Sequence, residues 1–531
     1  MDQTDLPAPI TDHGALRRRM LTGAALGAAG LAGSMLSSGP ARAATASSTP
    51  DWTVSPSGDT TGAADQANIQ SALADNGFVQ LVAGTYYINA PLELSSANNV
   101  LCGAGHFTTV IQLASGFSGS IQGITAGIFI TNWNCQLLHL SLAGLGSTYA
   151  TAITGIEVMS GSATIEDVDV ALFSGWGIEL INMNSSGTSQ VNSGWQFRNV
   201  TGQAGCAGGI HIDGNNFPNT GGLMLNCGID AGVTSGPKTN LDCILVENSA
   251  DDVGIIRCGA NVIAGSGSVF HVKGTVTALL MTECDSGINN RSPANPVMLI
   301  ENDASGNAPF EMLVSNCTFT GGQTSVQING AAYNIKFTGC QFFNNLNAGV
   351  TMNGTGCADF VNCDFGSDAG AGNGQSKTGT NYDLNWSGTG SGSVQGCSFG
   401  SPIVTSGAGV QVSVFLNSSA AVQVLQPHFR GAGTAHGNQC TILPAVAGAF
   451  SDMPLVQGAV TLTAGSATVT CGLVNNSFKP YPTQIALRVM NPTGTPGALY
   501  VSSVTSGTGF TIKSTSTFDT SEVWWGVYSS G

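Results

Sequence analysis

A six-residue frame with a cysteine at its fourth position recurs along this chain and constrains its fold more than any other feature. The frame reads VSNCTF (314–319), FTGCQF (337–342), FVNCDF (360–365) and VQGCSF (394–399). Related frames begin near Leu140, and successive centres lie 23 to 34 residues apart. A recurring unit of this size indicates a solenoid.

Each unit also contains a second stretch in which apolar residues alternate with others, as in a strand. Examples are GIEVMSG (155–161), GIHIDG (209–214), CILVEN (243–248), VFHVKG (269–274) and VMLIEN (297–302). Gly-, Asn- and Ser-rich stretches separate the strands, and 42% of the residues are apolar while 9% are charged. Short strands without a helical period predict an all-β fold, a right-handed single-stranded parallel β-helix.

Equivalent residues of successive coils in such a fold stack about 4.8 Å apart. The central cysteines are therefore predicted to form a ladder inside the cylinder, because cysteine packs as a small apolar side chain. Disulfides and a metal site are the alternatives for the 14 cysteines. The chain is long enough to bury a core without crosslinks, and no CxxC pair or Cys/His cluster favours a metal. The asparagines before the central residue are predicted to form partial ladders at a turn: Asn199, Asn226, Asn316 and Asn362.

The segment GDTTGAADQANIQSALADNGFVQLVAGTYYINAPLEL (58–94) resembles the entry segment of the pectin-lyase-like superfamily, also called the pectate lyase superfamily. The resemblance implies an N-terminal capping helix followed by a first strand with Val79, Leu81, Tyr86 and Ile88. It extends over roughly residues 55 to 440 and implies the fold rather than one reaction. Polygalacturonases, pectate lyases, inulin fructotransferases and phage tailspikes all belong to this superfamily.

The two ends of the chain differ from the repeat. Residues 1–43, with Arg17 to Arg19 before a weakly apolar run and Ala41-Arg42-Ala43 after it, resemble a twin-arginine-type signal peptide. We therefore expect a secreted, extracellular protein with a β-helix over 44–447. Residues 448–531 alternate at short intervals and predict a small antiparallel β-sandwich. Its run GFTIKSTSTFDTSEVWWGVYS is similar to C-terminal modules of phage structural proteins.

The net charge of −16 argues against nucleic acid as a partner, because phosphates would be repelled. No segment after the signal is long and apolar enough for a membrane span, so no membrane partner is expected. A polysaccharide substrate or glycan ligand is the partner that the resemblance implies. A homotrimer is expected if the chain resembles tailspikes in assembly as well.

The second strands place charged residues on one outward face, because the residues between their inward apolar positions point outward. One outward column contains Glu179, His211 and His271, and the other contains Asp213, Glu247, Lys273 and Glu301. We predict catalytic roles for Asp213, Glu247, Lys273 and His211. We predict substrate binding by Glu179, His271 and Glu301.

Adjacent coils would hold Asp213 and Glu247 about 5 Å apart. Two carboxylates so close do not ionise together easily, so one is expected to have a raised pKa and to act as a general acid. This spacing fits a retaining glycosidase. In a lyase, Lys273 or a histidine would act as the base, and Ca²⁺ is possible as a cofactor; no other metal or cofactor is predicted. The alternative is a charge ladder, Glu247-Lys273-Glu301, that only stabilises an exposed sheet.

Three functions remain open from the sequence. The first is a secreted carbohydrate-active enzyme, a glycoside hydrolase or polysaccharide lyase, that cleaves a polysaccharide in a groove along the stacked strands. The second is a non-catalytic glycan-binding adhesin or tailspike-like protein. The third is a structural solenoid at the cell surface.

Overall fold

The computed structural model describes most of the chain from Trp52 onward as strands and turns. The described residues are 52–146, 151–181, 192–214, 219–232, 241–262, 267–288, 295–366, 380–400, 410–417, 420–429, 442–443, 456–470, 484–505 and 508–528. The predicted signal segment, residues 1–43, lies outside the described residues. No helix among the described residues is long and apolar enough to cross a membrane.

One α-helix, Ala63–Asp75, precedes the first coil, as the resemblance implied. Asp59 supports its start by accepting hydrogen bonds from the backbone N–H groups of Thr61 (2.9 Å) and Ala64 (3.0 Å). Gly62 has φ 84°, and a Cβ there would lie 2.7 Å from the backbone nitrogen of Asn89. The helix therefore begins at a position that favours glycine. Its Ile69 and Leu73 belong to the core of the first coils.

A first sheet of 29 strands pairs from coil to coil in parallel. Its strands are Thr53–Val54, Phe78–Leu81, Gly84–Ile88, Val100–Cys102, Thr109–Leu113, Gln136–Ala143, Thr164–Ala171, Asn192–Ser193, Gln196–Arg198, Thr201–Cys206, Asn219–Thr220, Leu223–Leu225, Gly228–Ala231, Ala250–Asp251, Gly254–Ile256, Gly259–Val262, Val276–Thr277, Leu280–Thr282, Asp285–Ile288, Phe310–Ser315, Thr318–Thr320, Tyr333–Thr338, Gln341–Phe343, Cys357–Val361, Asp364–Phe365, Ser391–Gln395, Ser398–Phe399, Ala421–Leu425 and His428–Phe429.

A second sheet contains one strand from each of 13 successive coils, also in parallel. In order these are Leu92–Leu94, Ala126–Ile130, Thr154–Val158, Trp176–Ile181, Gly208–Asp213, Ile244–Glu247, Phe270–Lys273, Met298–Glu301, Thr324–Ile328, Ala348–Met352, Thr380–Trp386, Val410–Leu416 and Ile442–Leu443. These strands are the second stretches of the repeat. The two long parallel sheets confirm the predicted β-helix.

The core lies between the sheets, because alternate residues of every strand point inward. In the second sheet Ile210, Ile244 and Phe270 pair in register and are at most 2% exposed. Phenylalanines stack along the first sheet: the ring centroids of Phe337 and Phe360 lie 5.1 Å apart with nearly parallel planes. A continuous apolar column of this kind explains how a chain without helical layers buries its core.

The predicted cysteine ladder is present, and one cysteine from each of seven successive coils is buried in it. Its members are Cys227, Cys258, Cys284, Cys317, Cys340, Cys363 and Cys397. All 12 cysteines within the described residues are free thiols. The ladder thiols contact backbone carbonyls, as where Sγ of Cys317 lies 3.2 Å from the carbonyl oxygen of Ser315, and they also hydrogen-bond to the thiols of neighbouring coils. The ladder is therefore packing.

The residue before the central position of the repeated frame turns the chain. Asn199, Asn226, Asn316 and Asn362 all have positive φ, between 49° and 54°. Asparagine tolerates this left-handed conformation better than most residues, which explains its recurrence there. The prediction that these asparagines mark a turn is confirmed.

The C-terminal module contains two antiparallel three-stranded sheets. One sheet contains Val456–Thr461, Glu522–Tyr528 and Gln484–Asn491, and the other contains Ser466–Thr470, Gly509–Ser514 and Leu499–Thr505. Phe510 and Trp525 meet edge to face in its core, with ring centroids 5.4 Å apart. Trp525 is therefore a packing residue, and the predicted small β-sandwich is confirmed.

Candidate active site

The outer face of the second sheet gathers the predicted site residues in adjacent coils. Asp213 pairs with Glu247, Glu247 with Lys273, and Lys273 with Glu301. The register places every one of the predicted residues on this face because the side-chain period of a strand is two. We call the following set the ionic face: Glu179, His211, Asp213, Asp242, Glu247, His271, Lys273 and Glu301.

His211 bridges two carboxylates. Its Nδ1 lies 2.8 Å from Oε1 of Glu179, and its Nε2 lies 3.0 Å from Oε1 of Glu247. The ring of Trp176 packs against the imidazole with centroids 4.8 Å apart. Gly208 leaves room for that indole, since a Cβ at this position would lie 2.3 Å from a Trp176 ring carbon. His211 is consequently held in place on three sides.

Burial of His211 lowers its pKa, but the hydrogen bonds that it donates to Glu179 and Glu247 outweigh burial and raise the pKa to about 9. The imidazole therefore carries a proton on both nitrogens at neutral pH. A protonated histidine with both N–H groups donating to carboxylates is a poor general base. Its role in this arrangement is to hold the two glutamates and to keep Glu247 ionised.

The pKa of Glu247 is lowered, so Glu247 is not the acid of the pair that was predicted to have a raised pKa. Its hydrogen bond with His211 and the nearby cation of Lys273 hold its pKa below the usual range despite burial. Lys273 Nζ lies 3.4 Å from Oε2 of Glu247. We expected the two adjacent carboxylates to repel each other. That expectation left out His211, whose positive charge in the neighbouring column offsets the negative charge of the pair. Glu247 is thus held in its ionised form.

Asp213 lies beside Glu247 at the end of its strand. Its Oδ1 accepts a hydrogen bond of 2.5 Å from the side-chain amide of Asn248, and its backbone carbonyl accepts one of 2.7 Å from Asn219. A ligand atom of each of His211, Asp213 and Glu247 lies within 4.8 Å of the others. The predicted close approach of the two carboxylates is therefore present.

A second histidine repeats the arrangement two coils further on. Nδ1 of His271 lies 2.8 Å from Oδ2 of Asp242, and Nε2 lies 3.2 Å from Oε1 of Glu301. Burial lowers the pKa of His271, and the two carboxylates raise it to about 9. The hydrogen bond from His271 in turn lowers the pKa of Glu301. His271 and Glu301, predicted as binding residues, contact each other directly.

Asp242 was missed by the sequence analysis. It lies two residues before the inward Ile244, at a position where Trp176 and Gly208 stand in the preceding coils. The strand pattern gave no signal there because the chain bends before the strand begins. The signal that the sequence did offer was an acidic residue, Asp242, in a chain with few charges. In the structure its Oδ1 accepts a hydrogen bond from the backbone N–H of Ser268 in the next coil.

The ionic face ends on an apolar cluster toward the N-terminal coils. Phe129 and Met159 are fully buried there and pack with Ile121 and Ile124. Glu157 pairs with Glu179 and has no exposed surface.

Within the described part of the chain, one set of three side chains could hold a metal ion: His211, Asp213 and Glu247. The set does not suit Ca²⁺, which prefers six to eight oxygen ligands. A nitrogen and two carboxylates suit a transition metal better, but the protonated imidazole of His211 would first have to lose a proton. We derive no chemical step through a metal.

Residues 449–528 match the family described as K1 capsule-specific polysaccharide lyase, C-terminal domain. No curated protein matches the chain.

Three solved structures are similar at low identity. The AlgE6 A-module of mannuronan C-5 epimerase from Azotobacter vinelandii is 14% identical, with a TM-score of 0.42, and the match covers 72% of this chain and 94% of that one. The tailspike protein gp49 of Pseudomonas phage LKA1 is 14% identical, with a TM-score of 0.40 and coverages of 87% and 92%. The GH87 α-1,3-glucanase of Streptomyces thermodiastaticus is 13% identical, with a TM-score of 0.44 and coverages of 76% and 71%. The parallel sheets confirm the β-helix that the resemblance implied, and the C-terminal residues match the C-terminal domain of a polysaccharide-lyase family.

Proposed function

We propose that this protein is a carbohydrate-active enzyme that cleaves a polysaccharide on the outer face of its second sheet. The observation that carries the proposal is the approach of Asp213 and Glu247, with Glu247 kept ionised by His211 and Lys273. The fold and the match of the C-terminal module to a polysaccharide-lyase family support the substrate class.

The geometry favours hydrolysis with retention. Carboxyl groups about 5 Å apart characterise retaining glycosidases, in which one acts as the nucleophile and the other as the acid. Glu247 is the nucleophile in this assignment because His211 and Lys273 hold its carboxylate ionised. Asp213 donates the proton to the leaving glycosidic oxygen and afterwards accepts one from water.

Elimination is less compatible with the site. A lyase needs a base near C5 of a uronate and positive charge around the uronate carboxylate. His211 and His271 are both protonated at neutral pH, and Lys273 is paired with Glu247. The ionic face contains five carboxylates and three cations, so it leaves an excess of negative charge. We therefore assign no base role to Lys273 and retain it as the residue that orients Glu247.

The alternative is a glycan-binding protein that does not cleave its ligand. The observation in its favour is that His211 and His271 each bridge two acids, as in a face that only stabilises itself. A tailspike-like homotrimer would belong to this alternative. For both functions we also propose export by the twin-arginine-type signal.

The test incubates the protein with a panel of neutral and acidic glycans and measures new reducing ends together with the absorbance of unsaturated uronates. Glu247→Gln and Asp213→Asn should each lower hydrolysis at least 100-fold, about the range attributed to one acid–base group. Glu283→Gln is the matched control, since Glu283 pairs with Arg257 away from the ionic face. Binding without product from any glycan would refute the enzyme and favour the alternative.

A further inference from the structure

The outer face of the second sheet changes character beyond Glu301. In the next four coils its partly exposed residues are amides, hydroxyls and aromatic rings, and the one acid in these strands, Asp383, is fully buried. They are Gln327, Asn329, Thr351, Asn353, Tyr382, Asn385, Ser387, Phe415 and Asn417. We call this set the amide ladder.

The amide ladder is hydrogen-bonded to the ionic face rather than separate from it. The side chain of Asn329 bonds to Glu301 and contributes to the lowered pKa of that acid. Oδ1 of Asn329 accepts hydrogen bonds of 3.1 Å from Gln327 and from Asn353. Ser387 Oγ lies 2.8 Å from Oδ1 of Asn353. One network thus runs from His271 through Glu301 along three further coils.

The far end of the amide ladder presents aromatic surface. Tyr382 and Phe415 are both half-buried, and their ring centroids lie 5.8 Å apart with planes inclined by 58°. Aromatic rings provide apolar faces of the size of a sugar ring. At about 4.8 Å for each coil, the distance from the coil of His211 to that of Phe415 is roughly 34 Å, which accommodates several sugar units.

The opposite end cannot extend a binding groove in the same way. The columns of Glu179 and Asp213 lead there to Phe129 and Met159, which are buried beside Ile121 and Ile124. A long ligand that reaches Asp213 and Glu247 therefore continues over the amide ladder.

The charges on this surface select among glycans. A polyuronate carries a negative charge on every sugar, and Lys273 is the one lysine or arginine on the ionic face and the amide ladder together. Repulsion by Asp213, Asp242 and Glu301 would oppose its binding. Amides and hydroxyls both donate and accept hydrogen bonds, which suits the hydroxyls of uncharged sugars.

We propose that the amide ladder is the extended binding site for a neutral polysaccharide, with Asn353 and Ser387 as hydrogen-bonding residues and Tyr382 as a stacking surface. This inference rests on the proposed function, because it gives the substrate class of the same site. Specificity comes from the excess of carboxylates over cations as much as from the presence of amides.

The test measures binding of the full chain to neutral glucans and galactans by native affinity electrophoresis, each glycan paired with its own carboxymethylated derivative. We expect retardation by at least one neutral glycan, and at least tenfold weaker binding to its carboxymethylated form. Asn353→Ala combined with Ser387→Ala should weaken binding to the neutral glycan about tenfold. Tyr382→Ala should weaken it further.

Ser393→Ala is the matched control. Ser393 follows Ser387 in the chain, lies on the first sheet, and its Oγ lies 2.6 Å from Oδ1 of Asp359 in the preceding coil. It loses the same kind of bond away from the amide ladder, so its glycan binding should equal that of the wild type. Circular dichroism and the thermal midpoint confirm that each variant is folded.

The outcomes separate this inference from the proposed function. Binding to a neutral glycan that depends on Asn353 and Ser387, without any hydrolysis, would support the neutral binding site and refute the enzyme. Cleavage of a polyuronate alone, abolished in Glu247→Gln, would support the enzyme and overturn the neutral binding site. The neutral binding site would also be overturned if no neutral glycan retarded the protein. Equal losses of glycan affinity in the Asn353→Ala/Ser387→Ala variant and in Ser393→Ala would overturn it as well.

Discussion

Nε2 of His211 lies 3.0 Å from Oε1 of Glu247 in the next coil, and this contact determines the charge of both groups. It keeps the imidazole protonated and the glutamate ionised. The same pairing, repeated by His271 and Glu301, is the origin of the pH dependence that we expect of this protein.

The first prediction concerns the pKa of His211. Nuclear magnetic resonance of the protein labelled at its histidines should show a His211 titration with a midpoint of about 9. Glu179→Gln and Glu247→Gln should each lower that midpoint by a unit or more, because each removes one carboxylate that stabilises the imidazolium. Glu283→Gln should leave it unchanged. A wild-type midpoint near the ordinary histidine value would contradict the site.

The second prediction concerns stability on the alkaline side. The folded pKa values of His211 and His271 are about 9, above the ordinary value of 6.5, so their contribution is complete below pH 6.5 and is lost as pH rises through 9. Each raised pKa corresponds to about 3 kcal/mol of unfolding free energy. Denaturant titrations at pH 6 and pH 9.5 measure the loss. In His211→Gln the unfolding free energy should differ clearly less between pH 6 and pH 9.5 than in the wild type.

On the acid side, the pH dependence of stability has the opposite sign. The folded pKa values of Glu247 and Glu301 lie below the ordinary glutamate value, so their contribution is present above about pH 4.5 and is lost as pH falls further. Stability should therefore be greatest between about pH 5 and pH 6.5. A maximum above pH 8 would be incompatible with the two histidine–carboxylate pairs.

The third prediction concerns the thiols. Among the 12 cysteines described, Cys357 is partly exposed and the others are buried. Burial also raises the pKa of Cys206 to about 12, which disfavours its reactive thiolate. Brief alkylation of the folded protein followed by mass spectrometry should modify Cys357 far ahead of the ladder cysteines. Rapid labelling of Cys317 or Cys340 without unfolding would show that the ladder is open.

The fourth prediction concerns the stacked aromatic core. Phe360 is fully buried between Phe337 and Phe365. Phe360→Ala should lower the unfolding free energy by about 3–5 kcal/mol, because it leaves a cavity that stacked coils cannot close. Phe107→Ala is the control. Phe107 is 58% exposed, so its replacement should lower the unfolding free energy far less. Denaturant unfolding at pH 6 compares the two, and similar losses would place Phe360 outside the core.

Much of the fold was predictable because its information is local and repeated. The cysteine frames and the inward apolar residues recur once per coil, so Cys317 and Cys340 identified the register without any knowledge of the loops. The same register placed Asp213 opposite Glu247 and Lys273 opposite Glu301, as the strands pair.

The chemistry of the site was less predictable because it depends on contacts between columns. The sequence placed His211 and Glu247 in different columns and did not show that the imidazole would reach the carboxylate of the next coil. The raised pKa predicted for one of the two acids therefore does not fall on Glu247, whose pKa the histidine lowers. The sequence analysis missed Asp242 because this residue lies at a bend before its strand. At a bend, the two-residue alternation no longer predicts on which face a side chain lies.

The sequence by itself determined the coil register, the inward column of cysteines and the face on which the acids lie, since all three follow from alternation and repeat length. Only the tertiary structure decided which histidine holds which carboxylate, and that Glu301 continues into Asn329 and the amide ladder. Those pairings join residues about 30 positions apart in the chain, and side-chain reach between neighbouring coils, rather than sequence spacing, selects them.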